Sequence, residues 1–130
     1  MIGLDTNVIL RFLVQDHPIQ AKHAKTLFAS FVREGPGFIT TVVIAEVAWV
    51  LRTTYKLKRL VIADFIEGLA ISSDIEIERH DIVLESLQNY RHGKADLADY
   101  LIAALNHAHG CDNTVTFDRV AAKATGMKLL

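Results

Sequence analysis

Apolar residues along the chain alternate between very short unbroken runs and longer stretches with helical spacing. The first run, Ile2 to Leu4, is enough for only a short strand, and Asp5, Thr6 and Asn7 interrupt it before Val8 to Val14 resume the apolar pattern. A buried strand that ends in an acid and turns at once into a helix accounts for this break. Asp16-His17-Pro18 is a second break, and Pro18 is placed to open a helix at its first position. Ala21, Ala24, Leu27, Phe28, Phe31 and Val32 then recur at helical spacing until Glu34-Gly35-Pro36-Gly37 stops them. Phe38 to Thr40 reads as a second short strand, with Thr40 or Thr41 capping the next helix.

The pattern then repeats. Val43 to Thr54 predicts a third helix with Val43, Val47, Val50 and Leu51 on one side. After a basic turn at Lys56, Lys58 and Arg59, Leu60 to Ile71 predicts a fourth, carrying Val61, Phe65, Leu69 and Ala70, with Asp64 and Glu67 free to reach basic neighbours. Ile75-Glu76-Ile77 alternates as a strand does. Asp81 is the expected cap of a helix striped by Ile82, Val83, Leu87 and Tyr90, which breaks at Arg91 to Lys94. Ala95 to His109 is a strong helical pattern stopped by Gly110, with Leu101, Ile102 and Leu105 as its packing side. Asn113 to Phe117 predicts a strand ending in Asp118, Arg119 to Ala124 a short helix, and Met127 to Leu130 an edge strand. Strands alternating with helices over the whole length predict a single α/β domain: a three-layer α/β/α sandwich around a mostly parallel sheet, entered by right-handed crossovers.

Composition changes this picture only in part. A chain of 130 residues has room for one domain and no second. Hydrophobic residues make up 51 %, apolar enough to leave a helix face for dimerisation or for a partner. The single Cys111 excludes an internal disulfide framework and suits a reducing compartment. Asp5 and Arg11 interrupt the N-terminal apolar run and no basic leader precedes it, so neither a signal peptide nor a membrane span is expected; the expected setting is the cytoplasm. A net charge of −1 argues against nucleic-acid binding by bulk electrostatics, although acids gathered around a divalent cation would be neutralised locally.

The candidate chemistry lies in the acids. Asp5 and Asp118 each end a strand, and the carboxyl ends of parallel strands are where open α/β sheets keep their sites. Asp5 either belongs to such a site or merely caps the helix after it. Glu46 falls among Ile44, Ala45, Val47, Ala48 and Trp49, where an unpaired acid is costly to bury; it is a site candidate, or part of an exposed strip on the same helix. Asp96 and Asp99, three residues apart, share a helix face. Crowded carboxylates repel, and the usual remedy is a divalent cation. Oxygen ligands suit Mg²⁺ or Mn²⁺ and do not suit zinc. Such a metal would polarise a scissile phosphate and activate water, leaving Thr6, Asn7 and Thr116 to orient water or phosphate and Arg11, Arg52 or Arg119 to hold a substrate backbone. The six histidines show no metal-ligand spacing, and no glycine-rich loop precedes a Lys-Ser/Thr pair, so the usual nucleotide-triphosphate cradle is absent. Trp49, Tyr55, Tyr90 and Tyr100 lack the basic neighbours of a stacking platform.

Ile2-Gly3-Leu4-Asp5-Thr6-Asn7-Val8-Ile9-Leu10, Glu46, Ala95-Asp96-Leu97-Ala98-Asp99-Tyr100-Leu101-Ile102-Ala103 and Val115-Thr116-Phe117-Asp118-Arg119 together resemble the PIN-domain nucleases, and most closely the VapC-type toxins of toxin-antitoxin pairs. The resemblance implies a Mg²⁺- or Mn²⁺-dependent endoribonuclease, frequently a homodimer, inhibited by a cognate antitoxin protein. It implies Asp5, Glu46, Asp99 and Asp118 as the four family acids, with Asp96 as an additional one and Thr6, Asn7 and Thr116 as surrounding polar residues. Related PIN nucleases of RNA maturation or decay carry the same acids. A phosphatase with an aspartyl nucleophile at Asp5 would want an acid two residues on, where Asn7 stands. A non-catalytic protein-binding module is the remaining alternative.

Overall fold

A computed structural model describes all residues, 1–130. The chain runs β1 (Ile2–Gly3), α1 (Thr6–Val14), α2 (Pro18–Glu34), β2 (Gly37–Ile39), α3 (Thr41–Thr53), α4 (Arg59–Ile71), β3 (Ile75–Ile77), α5 (His80–His92), α6 (Leu97–Ala108), β4 (Val115–Thr116), α7 (Arg119–Thr125) and β5 (Lys128–Leu129). β1, β2 and β3 pair in that order, all parallel, with Ile2 opposite Gly37 and Gly37 opposite Ile75. Parallel neighbours cannot be joined by a tight turn, so a pair of helices carries each return: α1 and α2 between β1 and β2, α3 and α4 between β2 and β3. The result is the expected α/β/α sandwich with a parallel central sheet. β4 and β5 pair with each other, again parallel, as a separate two-stranded piece. No helix is long and apolar enough to cross a membrane.

The core follows from the helical stripes, with rotations that single spacings did not settle. Ile9, Ile39, Ile44, Val47, Leu51, Ile62, Ile66 and Val83 are fully buried. On α3 the inward face is Ile44, Val47, Ala48 and Leu51, and on α4 it is Ile62, Ala63, Ile66, Leu69 and Ala70. Val32, Val61 and Ile102, expected in the stripes, lie outside them and are exposed. The α5 stripe is as predicted, with Ile82, Val83, Leu87 and Tyr90 all buried. Phe12 and Phe28 stack at 3.9 Å between centroids and join α1 to α2.

Polar residues fix the helix ends. Thr40 caps α3 by accepting from the Val43 N–H (3.2 Å), and Glu78, just beyond β3, accepts from both the N–H and the hydroxyl of Thr41 (2.9 Å each). These bonds hold the Glu78 carboxyl below its ordinary range. Asp81 is not the cap of α5: Arg79, in the left-handed region at φ 48°, holds that place, and Asp81 lies in the first turn. Asp64 and Glu67 find the basic neighbour expected of them in Arg91 of α5, at 2.8 and 2.7 Å.

The turn between α5 and α6 is held by a less obvious clamp. Arg59, at the start of α4, donates to the carbonyls of Tyr90 (2.9 Å) and Ala95 (2.8 Å), and its guanidinium lies 4.3 Å from the centroid of the Tyr90 ring. Within that turn Gly93 has no room for a side chain, because a Cβ there would overlap the Tyr100 hydroxyl and stand 2.9 Å from the Asn89 carbonyl. Gly37 is required in the same way, its Cα facing the Phe31 ring at a place where a Cβ would come within 2.7 Å.

The Gly93 packing yields a testable outcome. Gly93→Ala will destabilise the fold by about 1–3 kcal/mol through overpacking, and the double variant Gly93→Ala/Tyr100→Phe will recover part of that loss, the contacts with the ring carbon and the Asn89 carbonyl remaining. Urea unfolding of the two single variants and the double variant measures it; strictly additive effects would contradict the assigned contact.

Candidate active site

Four of the five candidate acids begin helices or stand within their first turn. Asp5 is the residue before α1, extended at φ −83° and ψ 159°, exposed, with no hydrogen bond from its side chain to the helix. The capping alternative for its carboxylate is therefore not used. Asp118 holds the equivalent place before α7 and does cap, its Oδ1 accepting from the Ala121 N–H at 3.0 Å, while its own N–H donates to Thr116 Oγ1 at 3.0 Å.

Asp96 is the residue before α6, which starts at Leu97 rather than Ala95, so Asp96 and Asp99 are cap and third helical residue. The Asp96 N–H donates to Asp99 Oδ2 at 3.2 Å, and the Asp99 N–H goes to the Asp96 backbone carbonyl at 3.0 Å. The side chain of Asp96 turns instead to Arg52 of α3, with Nε to Oδ1 at 3.0 Å and Nη2 to Oδ2 at 3.3 Å. This two-point pair ties α3 to the start of α6.

Asp99 is the electrostatic centre of the group. Burial raises its carboxyl pKa above the ordinary aspartate value, the hydrogen bond from the Asp96 N–H works against that, and the negative charges of Asp96 and Asp118 raise it further. Asp99 thus feels both Asp96 and Asp118, although the strands before Asp5 and Asp118 belong to different sheets. Asp5 and Asp118, which a single parallel sheet would bring out at one edge, therefore leave two separate sheets.

The remaining candidates differ in exposure and in partners. Glu46 is exposed on α3, between the exposed Val42 and Trp49, so it bears no burial penalty; the exposed-strip reading describes it. Thr6 is buried, and its hydroxyl has no hydrogen-bond partner. Asn7 is exposed, and Thr116 is engaged by Asp118. Arg11 lies on α1 about 9 Å along the axis from Asp5, and its Nε donates to Gln20 Oε1 at 2.6 Å. Its charge also acts on Tyr55, whose hydroxyl donates to Asp16 at 3.1 Å. Arg11 is therefore part of a local network between α1, α2 and the turn after α3.

No three acidic, histidine or cysteine side chains stand close enough to form a ready-made cage for a metal ion. The chemistry of the donors still suits a hard cation. All are carboxylates, Asp99 Oδ1 and Asp118 Oδ2 are left free while their partner oxygens are pinned by backbone N–H groups, and burial together with two like charges raises Asp99. An ion such as Mg²⁺ keeps several waters and takes one or two carboxylates, so it does not require a closed cage.

Three side chains that carry no site pattern in the sequence stand together near this group. Lys94, in the α5–α6 turn, and His92 and Lys123, near the ends of α5 and α7, face one cavity together with Arg119. The spacing of Arg119 and Lys123, four apart on a predicted helix, was the only signal available.

No curated protein is significantly similar in sequence to this chain. One family's sequence model, described as PIN domain, matches residues 2–126, which takes in β1 through α7 and every acid named above. The chain therefore belongs to the PIN domain family.

Proposed function

We propose that the chain is a metal-dependent endoribonuclease that hydrolyses RNA phosphodiester bonds with activated water, and that it serves as the toxin of a toxin-antitoxin pair. The observation that carries the reading is Asp99: a carboxyl raised first by its burial and then by two acidic neighbours, in a chain whose PIN match spans nearly its full length. Family membership supports nuclease chemistry in general. The metal, the RNA substrate, the antitoxin and a homodimer belong to this proposal.

Asp5, Asp99 and Asp118 would share the ion, directly or through the waters it keeps, Glu46 would act as a further ligand or orient water, and Asp96 would act from the outer shell through its bond to Asp99. A bound Mg²⁺, or Mn²⁺ in its place, supplies polarisation of the phosphate and a water of lowered pKa. The chain's own part is positional. The N–H groups of Asp96 and Ala121 each fix one oxygen of an acid and leave the other directed by it. Arg52 holds Asp96, so that its charge acts on Asp99 from a set position. Thr116 fixes the backbone at Asp118. Asn7, exposed beside Asp5, and the buried hydroxyl of Thr6 are the groups left to orient water or phosphate. Exposed Val42 and Trp49 on α3 and Ile71 on α4 offer apolar surface of the kind a second copy or an antitoxin would cover.

Two outcomes test this reading. With Mg²⁺ or Mn²⁺ the purified chain will cut a panel of structured cellular RNAs. EDTA will stop it, and Asp99→Asn or Asp118→Asn will lower the rate by about 100-fold or more. Cutting that survives EDTA or either substitution would sink the proposed chemistry.

The second outcome needs no turnover. Because the folded Asp99 carboxyl lies above its unfolded value, its contribution to stability is present at acid pH and is lost as pH rises through the folded pKa. Asp99→Asn will therefore be more stable than wild type at neutral pH, with the difference vanishing below about pH 4. Mg²⁺ will raise the thermal midpoint of wild type more than that of the variant. Calorimetry across pH, with and without Mg²⁺, measures both; equal midpoints under all conditions would contradict the charge crowding and the site.

A further inference from the structure

Beside the acids lies a cavity of about 680 Å³, walled by the end of α5, the α5–α6 turn, the first turn of α6 and one face of α7. Its charged lining is entirely basic: Lys94, Arg119 and Lys123, with His92 beside them. The ion pairs of the molecule use Arg52, Arg79 and Arg91, so none of these three cations is paired. All three are exposed at the rim. Tyr100 forms part of the wall, buried, with a hydroxyl that has no hydrogen-bond partner, while Asn89 contributes an amide. Two residues of its wall, Arg119 and Tyr100, are the chain neighbours of Asp118 and Asp99, with Cα atoms about 4 Å from theirs.

We infer that this cavity is a subsite for the RNA strand, seating a nucleotide next to the scissile phosphate, with Lys94, Arg119 and Lys123 on the phosphates. The inference rests on the nuclease reading above. A chain with net charge −1 cannot gather RNA by overall charge, and its acids repel a phosphate backbone. A local cluster of unpaired cations beside them offsets that repulsion where the strand must pass. Of the three arginines considered for holding a substrate backbone, Arg11 is bonded to Gln20 and Arg52 to Asp96, which leaves Arg119. The volume is far larger than one phosphate needs and falls within the range of small-molecule sites. Its apolar wall and the Asn89 amide suit a base and ribose, the groups by which single-stranded RNA is read. A phosphate-bearing nucleotide in a continuous strand fits this combination better than an acidic peptide, which has no flat base to set against the wall.

The test is binding of a short, random-sequence, fluorescently labelled single-stranded RNA in EDTA, read by anisotropy between about 50 and 200 mM salt. Wild type is compared with the triple variant Lys94→Gln/Arg119→Gln/Lys123→Gln, whose thermal midpoint should match because all three side chains are exposed. The variant is expected to bind about tenfold or more weakly at the lowest salt, with a slope of log affinity against log salt smaller by about 2, since each phosphate contact on a single strand contributes about 0.7. Affinity and slope equal to wild type would overturn the subsite. So would unchanged RNA binding with lost binding of polyglutamate, which would assign the cavity to an acidic protein segment. The two readings fail separately. Wild type that cuts RNA with an unaltered variant slope removes the subsite alone. RNA binding lost in the variant, by a wild type that cuts nothing with any metal, removes the nuclease alone.

Discussion

Parallel pairing between strands of two or three residues is the constraint on which the rest of this molecule depends. Strands so short contribute few ladder hydrogen bonds, and none of them can be closed by a hairpin. Helices must carry each return, and their packing faces must then supply most of the buried surface. The same constraint disposes the chemistry: Asp5 and Asp118 each stand where a strand gives way to a helix, and Thr40, Thr41 and Glu78 occupy the corresponding places after β2 and β3. At three of those places, filled by Thr40, Glu78 and Asp118, a polar side chain is spent on a helix start. At Asp5 it is not.

Electrostatic crowding around Asp99 is the complement of that arrangement. The fold gathers three carboxylates near the starts of α6 and α7, and it moderates their repulsion with backbone N–H groups and one arginine rather than by pairing every acid. The cost of burial, and after it of the remaining repulsion, appears in the raised Asp99 carboxyl. Structures tend to carry such a cost where a group has a task beyond stability. The unpaired cations across the α5–α6 turn make the neighbouring surface opposite in sign, so the molecule is strongly polarised over a short distance despite its small net charge.

Much of this is legible in the residues, for identifiable reasons. The acid-terminated strand at Asp5 and the Asp96/Asp99 spacing are local patterns, and local patterns fix local structure. The α5 stripe is readable because its apolar positions admit only one face. On α3 and α4 almost every position is apolar, so periodicity cannot choose between neighbouring faces, and packing against the sheet chooses. The burial cost expected at Glu46 is absent for the same reason: apolar neighbours in sequence point all round a helix and say nothing of which side is wet. Asp81 loses the cap of α5 to Arg79 because a left-handed residue after β3 sets the chain direction earlier than composition suggests. The Asp96–Arg52 pair, the Arg59 clamp and the basic cavity each join residues far apart in the chain, and no spacing rule reaches across such separations.

The Arg59 clamp has a consequence for how the molecule comes apart. Its guanidinium holds the carbonyls on both sides of the α5–α6 turn while its own backbone opens α4, whose inner face is part of the core. The start of α6, with Asp96 and Asp99, is therefore anchored to the interior rather than carried on a free loop. Sites on loops can open by themselves at small cost, whereas elements tied into a core open only with it. In this chain Asp96 and Asp99 are tied to the core in that way, so that the geometry around Asp99 is lost with the fold rather than ahead of it.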